Sequence, residues 1–543
     1  MFRIKQIFLA LTKSEKVTFF LASGGLILSG IILVALGFIA LTRPVPATGG
    51  EYTEGFIGQP AYINPVLASS ETDKNLVRLV FSNIQDVAEK IEPSADGRTW
   101  KIRLKEKIKW HDGEKLTSDD VIFTIQKIQD QESSSPLAKS WQGVAAQRLS
   151  ELELQLSLIN PYAFFGEILK TLYIAPKHIF ENIPPANWRL SEYNLRPVGS
   201  GPYKFISFEK KLSGFITTYR LGAWDGYFEE KPFIDNFYLN FFTSNEDLIN
   251  NFNSGQIDAV GGIDPQDLAL IKRPYEKIGF RLPSYYAVFL NQNKSIPLQE
   301  LTVRKAISLA IDKSELVKIA LGDSGTIQNG PLPENGTSTA TSSSESAPSI
   351  LDTAGWKTGN DGIREKTIGK STIRLEFDLT VPKINFLVKT AEYLKGEWEK
   401  IGIKANLQIL DSEEDLSLKI KNRDYEMLLF GNSLSRGPDL FSFWHSSERF
   451  YPGLNIALYN NKKADSLIES IRQNLDEEKR RGQLGALEDL IAADYPAAFL
   501  YSPSYIYISS KNVRGIETTS ISEPAERFKE AKKWYLKTAR VLK

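Results

Sequence analysis

Residues 108–121 read Ile-Lys-Trp-His-Asp-Gly-Glu-Lys-Leu-Thr-Ser-Asp-Asp-Val, and their interpretation decides the fold. Just before them, Trp100, Ile102 and Leu104 alternate with Lys101, Arg103 and Lys105, the period-two pattern of a half-buried strand. Trp110-His111-Asp112-Gly113 then reads as a turn. Thr117-Ser118-Asp119-Asp120 is a capping box ahead of Val121, Ile122, Ile125 and Ile128 at helical spacing. The local unit is therefore strand, turn and capped helix. His111-Asp112 could also open a metal-dependent hydrolase site. Such a site needs more His or carboxylate ligands to converge, and of the three histidines the other two, His178 and His445, stand in unrelated contexts.

Outward from this unit the same alternation continues. Leu152, Leu154, Leu156 and Leu158 mark a second strand, and 237–242 a third. Ser244 with Asp247 starts a helix that Gly255 closes. In the second half, 303–321 reads as one helix and 372–380 as one strand. Residues 384–401 read as a helix stopped by Gly402, and 403–410 and 425–430 as strands. Residues 462–493 are helical, and 497–508 form an apolar strand-like run. Alternating strands and helices predict α/β lobes with mixed sheets. Residues 333–349 are Ser/Thr-rich and too poor in apolar groups to offset ordering entropy, so a flexible surface excursion is expected there.

A length of 543 residues predicts several lobes at about 150 residues each. Lysine plus arginine and aspartate plus glutamate both number 66, so net charge gives no reason to expect nucleic acid. The absence of cysteine excludes disulfides, thiolate metal sites, thiol nucleophiles and a lipidated cysteine. Residues 17–41 carry no charge and as a helix reach about 37 Å, enough to cross a hydrocarbon core of about 30 Å. Arg3, Lys5, Lys13 and Lys16 precede them against Glu15 alone. The positive-inside rule thus puts 1–16 in the cytoplasm, 17–41 in the cell membrane as a single pass, 42–50 in a Pro/Gly tether and the bulk outside. Val45-Pro46-Ala47 loosely imitates a signal-peptide cleavage site. The apolar run exceeds the usual h-region of about 7–15 residues, which favours an uncleaved anchor.

Catalytic patterns are weak. Gly431-Asn432-Ser433-Leu434-Ser435 approaches a nucleophile elbow, but Ser435 replaces the second glycine and His445 follows too closely. No P-loop or dinucleotide fingerprint occurs. No enzyme activity, cofactor or metal is expected. A membrane-anchored hydrolase and a sensor or interaction ectodomain are the rival readings.

Asn64-Pro65-Val66-Leu67-Ala68, Leu79-Val80-Phe81-Ser82, the 108–121 stretch and Pro197-Val198-Gly199-Ser200-Gly201-Pro202-Tyr203 form an ordered series of motifs. Val303-Arg304-Lys305-Ala306-Ile307 with Ala310-Ile311-Asp312, and Leu351-Asp352-Thr353-Ala354-Gly355-Trp356, continue it. In this order they resemble the family-5 extracellular solute-binding proteins, the peptide/nickel-type binding components of ABC importers. The resemblance implies a two-lobed, type II periplasmic-binding-protein-like α/β fold of the large peptide-binding class with an extra subdomain. It implies lobe 1 at 51–290 completed by 500–543, lobe 2 at 291–499, and crossings near 285–293 and 499–507. A small solute, by default a peptide, is held between the lobes and passed to permease subunits. Sugars stay open, and nickel is disfavoured by the few histidines.

In peptide-binding relatives the loop after the strand at 425–430 lines the cleft and often carries an acid for the ligand's amino terminus. Here that loop is 431–444, with Gly431 and Asn432 among its candidate contacts, Ser433 or Ser435 closer to the usual acid position, and Asp439, late in the loop, as its only acid. Arg436 could bind a carboxylate in bidentate fashion or be a solvated charge. Tyr285, Tyr286 and Asn291 are candidates from the first crossing, with core packing the alternative. Tyr62 and Asn64 are candidates from the other lobe, and Trp141 and Trp444 are candidate stacking walls.

Overall fold

The computed structural model of the chain describes residues 12–333, 346–434 and 437–543. The first predicted strand is Thr99–Leu104, in an antiparallel sheet with Glu153–Ser157, Ala88–Pro93 and Ala145–Arg148. Ile102 faces Leu154 and Trp100 faces Leu156 across the ladder, so the two alternating patterns bury one shared face. Helix Ser118–Gln129 covers it, its capping box closed by the Thr117 amide donating to Asp120 Oδ2 at 2.8 Å.

Three of the sequence motifs meet in one knot beside this sheet. The Gly201 amide donates to Val80 O at 2.8 Å, and the His111 amide to Gly199 O at 2.7 Å. Ser82 Oγ donates to Ser200 O at 2.9 Å. A Cβ on Gly199 would stand 1.9 Å from Val80 O, so glycine is required by the close approach of two backbones. His111 belongs to the same knot. Its Nδ1 accepts from the Gly199 amide at 3.2 Å, and its Nε2 lies 3.0 Å from Gly201 O. Burial lowers its pKa to about 4, so the ring is neutral.

A twelve-stranded mixed sheet runs through the whole molecule. Its central member is Ala497–Ser510. One half of this strand pairs with Ser284–Leu290, the other with Tyr275–Arg281 and Ala259–Gly261. Leu282-Pro283 separates the two partner strands, and Ser502-Pro503-Ser504 is the matching stretch of the long strand. The passage therefore falls at 282–283, a few residues before the expected 285–293. Pro283, with no amide to continue a ladder, lies in the break between the two partner strands, whereas the long strand runs on through Pro503, opposite Gly325 of strand Gly325–Ile327.

On one side of this passage, residues from 52–241 share a core with Phe280, Tyr507 and the 513–534 segment. On the other side, a core spanning 288–429 and 498–501 lies beside a second, which collects Tyr285, Trp444 and helices Lys462–Gln473 and Glu477–Asp494. The 513–534 segment is fixed by a fully buried ion pair: Arg527 donates through Nε and Nη2 to Glu54 Oε1 at 3.0 and 2.8 Å. Tyr52 and Tyr507 hydroxyls donate to the other carboxylate oxygen at 2.6 and 3.2 Å.

Several expectations are corrected. The helix read at 303–321 is two, Leu301–Leu309 and Lys313–Leu321, because Asp312 caps the Ser314 and Glu315 amides and starts a new one. The strand read at 372–380 changes partners at Leu375. Ser371–Arg374 pairs with Arg364–Ile368, whereas Glu376–Pro382 joins the large sheet beside Lys404–Leu410. The 42–50 tether contains a strand, Thr42–Ala47. Of the expected excursion at 333–349, residues 334–345 lie outside the described residues, and helix Ala347–Thr353 occupies the end.

Candidate solute-binding cleft

A cleft of about 900 Å³ lies between the two bodies. One wall comes from 137–144 and 158–173. Phe165 is held there against Trp100 and Trp141, at ring distances of 5.4 and 5.9 Å. The opposite wall comes from the segment after strand Met427–Ser433 and from helix Lys462–Gln473. Asn461 caps that helix, which buries Ala464, Ile468 and Ile471 and leaves Glu469, Arg472 and Gln473 on the cleft. The loop is fixed at its start by the Leu434 amide donating to Pro283 O at 2.8 Å, and later by buried Leu440.

The walls meet around Tyr162 and Phe164, and Phe164 is buried against the far body with Arg480 over its ring at 5.5 Å. Tyr162 Oη donates to Asp439 Oδ2 at 2.7 Å, and Arg472 Nε stands 3.2 Å from the same oxygen. The Arg472 guanidinium lies between the rings of Tyr162 and Phe441, 5.1 and 4.4 Å from their centroids. The Ala163 amide donates to Arg472 O at 2.7 Å. Burial, reinforced by the Asp439 charge, pushes the Tyr162 phenol well above its usual range, so it acts as a donor at any ordinary pH.

The remaining charges are mixed in sign and several are paired within the wall. Lys74 meets Glu523 at 3.1 Å, and His445 meets Glu469 at 3.3 Å. Between them stand apolar and aromatic groups, among them Leu137, Ile159, Phe164, Ile168 and Phe443. Such a surface has no net field for a polyanion or a bare cation. It suits an amphipathic solute carrying both polar groups and side chains of varied type. The histidines stay apart in function, since His178 bonds Asp112 at 2.8 Å while His111 lies in the scaffold knot. Among the described residues, no group of three or more His, Asp or Glu is placed to hold a metal ion.

Of the residues singled out from sequence, Ser433 and Asp439 line this cleft. Asp439 is already engaged by Tyr162 and Arg472. Ser435 and Arg436 lie outside the described residues. The others support the walls from behind. Tyr285 is fully buried, and its hydroxyl accepts from Asn432 Nδ2 at 2.9 Å and Trp444 Nε1 at 3.1 Å. Three expected ligand contacts thus satisfy one another inside the core. Tyr286 packs on Phe386 and Tyr501, and its ring passes so close to Gly431 that a Cβ there would come within 2.7 Å.

Asn291 donates to Tyr425 O and Arg423 O, at 2.8 and 3.1 Å, where its strand ends. Asn64 Oδ1 accepts from the Val66 amide, Trp141 is fully buried, and Tyr62 lies beneath Arg189. For Tyr285, Tyr286 and Asn432 the reason is that strands Ser284–Leu290 and Met427–Ser433, inside the large sheet, are covered on both faces, so their large side chains become core. Tyr162, Glu469 and Arg472 were not singled out from sequence. The only local signal was the Asn160-Pro161 turn, which marks a loop without saying what it faces.

Comparison with known proteins agrees with this architecture. Residues 83–450 match the family model described as bacterial extracellular solute-binding proteins, family 5 Middle. The oligopeptide-binding protein AppA of Bacillus subtilis is 27% identical over 523 residues, covering 90% of this chain and 92% of its own. The structure of that protein in complex with a nonapeptide superposes with a TM-score of 0.68 at 24% identity, over 91% of this chain and 100% of the other. The ABC transporter substrate-binding protein CtaP of Listeria monocytogenes gives a TM-score of 0.76 at 24% identity, over 90% and 99% of the two chains.

Proposed function

This chain belongs to the bacterial extracellular solute-binding proteins of family 5, and from that premise we propose that it captures peptides in the cleft and delivers them to an ABC import permease. The observation that carries the reading is the cleft itself: two walls on separate bodies, mixed in polarity, meeting at the Tyr162–Asp439 contact. The nonapeptide held by the B. subtilis relative gives the ligand class. Residues 51–281 with 505–543 act as one lobe and 284–501 as the other, which moves the expected boundaries at 290 and 499 to either side of the passage. They swing about 282–283 and 502–504, where both connecting segments carry proline. Closure expels water and is favoured only by the extra affinity of the solute for the closed form. Within the cleft Ser433, Glu469, Lys74 and the Tyr162–Asp439–Arg472 group offer polar contacts, and Phe164 and Phe443 offer apolar ones.

The work is binding without bond-making. His445, the histidine nearest Ser433 in sequence, is taken up by Ser447 and Glu469. Helix Lys13–Leu41, apolar and without a buried residue, is a retained single-pass anchor. It keeps the binding body beside its permease and raises its effective concentration there. The test is mass spectrometry of the protein purified without denaturation, followed by thermal-shift screening with defined peptides and sugars. Peptides should raise Tm in proportion to the logarithm of their concentration. No peptide shift, or stabilisation by sugars alone, would refute the proposal.

A further inference from the structure

Strand Thr42–Ala47 follows the apolar helix directly and pairs along its whole length, antiparallel, with Lys537–Leu542. The two strands also fasten the helix end. Arg540 Nε donates to Thr42 Oγ1 at 2.8 Å, and its Nη2 reaches Ile39 O and Thr42 O, both at 3.2 Å. The Lys543 amide donates to Leu41 O at 3.0 Å. The last turn of a helix leaves carbonyls without partners and favours a cation. This helix has no basic residue in its last turn, and Arg540 supplies one from the other end of the sequence. At its far end the ribbon is rooted in the folded body, through the Gly49 amide on Phe233 O and through buried Trp534.

The position of the ribbon follows from helix length. The charge-free run 17–41 measures about 37 Å, so its end emerges at the headgroup side of a core of about 30 Å. Residues 41 and 542–543 lie at that level. Leu542 is 77% exposed and Leu41 66%. Arg43, Arg540 and Lys543 flank them, and neither 42–47 nor 537–543 contains an acid, although the whole chain is electrically neutral. Exposed apolar groups with cations beside them are the composition of an interfacial contact.

We propose that residues 42–47 and 537–543 form a membrane-surface stalk, with Leu542 seated among anionic phospholipid headgroups, held there by Arg43, Arg540 and Lys543. The solute-binding body then stands on the membrane in a defined orientation instead of swinging on a free tether. The inference rests on the reading of 13–41 as a retained anchor, and the test separates the two.

The chain has no cysteine, so single labels are unambiguous. The full chain carrying Leu542→Cys or Thr538→Cys is labelled with an environment-sensitive fluorophore and reconstituted in vesicles of phosphatidylglycerol and phosphatidylethanolamine. Position 538 lies about 13 Å farther along the ladder. The label at 542 should shift to the blue and be quenched by headgroup-region spin-labelled lipid at least threefold more than the label at 538. Arg540→Gln with Lys543→Gln, or phosphatidylcholine vesicles, should remove most of that difference.

Val45→Cys with Ala539→Cys, residues opposite in the ladder, should oxidise to an intramolecular disulfide in the membrane. Equal, water-like signals at 542 and 538, or no 45–539 disulfide, in protein that mass spectrometry shows to be full length would overturn the stalk and leave the anchor standing. A mass lacking residues 1–47 would overturn the anchor reading and the stalk with it.

Discussion

Removing the hydroxyl of Tyr162 is the smallest change that probes lobe closure. That hydroxyl donates to Asp439 across the cleft at 2.7 Å, and Tyr162→Phe keeps the ring that packs against Arg472. Asp439 keeps Arg472 as a partner, so no buried charge is orphaned. A hydrogen bond to a charged group contributes about 1.5–3 kcal/mol. Asp439 remains 21% exposed on the cleft, and partial access of water reduces the expected value to about 1–1.5 kcal/mol. That is roughly a fivefold to tenfold fall in the ratio of closed to open molecules. Peptide affinity falls by up to the same factor, because only the closed form binds fully. Spin labels at Glu181→Cys and Lys463→Cys, exposed sites on the two bodies, report the inter-lobe distance without ligand, and titration calorimetry reports affinity. A variant with the parental distance distribution and parental affinity would refute the claim that this contact helps to hold the lobes together.

Other predictions concern the scaffold. Gly199→Ala forces a methyl group against Val80 O and disturbs the knot with Gly201 and His111, so urea denaturation should show a loss of about 3–5 kcal/mol. Arg527→Met leaves Glu54 charged and buried and should cost about 3–5 kcal/mol, whereas adding Glu54→Gln to it should recover part of that loss. His111 is held neutral in the folded state with its pKa lowered to about 4, against about 6.5 when unfolded. The unfolded chain therefore takes up the proton first as pH falls. The stabilisation is complete above pH 6.5 and is lost between 6.5 and 4, by about 2 kcal/mol at pH 5. His111→Gln should flatten that part of the stability profile measured by denaturant titration.

Where local rules act alone, sequence and structure agree closely. Alternating Ile102, Leu104, Leu154 and Leu156 fold as two facing strands, and Ser244 and Gly255 delimit helix Asn245–Ser254 as their cap chemistry requires. The motif order is legible for the same reason, since Leu79–Ser82, Trp110–Gly113 and Gly199–Pro202 interlock through their backbones and leave little freedom of residue choice.

The cleft is less legible because its walls come from segments some 270 residues apart, as Tyr162 and Asp439 illustrate. No periodicity links them. Tyr285 and Trp444 carry polar tips that suit a ligand, yet those tips serve each other in the core. Residues 42–47 look like a tether because Pro44 and Pro46 break regular patterns. A two-stranded ribbon nonetheless tolerates proline where the missing amide would face solvent.

Peptide titration with simultaneous readout of lobe distance and of the peptide's own mass decides whether this protein captures solute unchanged. The expected result is saturable binding that narrows and shortens the distance between the labelled lobes, with the peptide recovered intact. Binding without any change in distance, or recovery of a cleaved peptide, would contradict it.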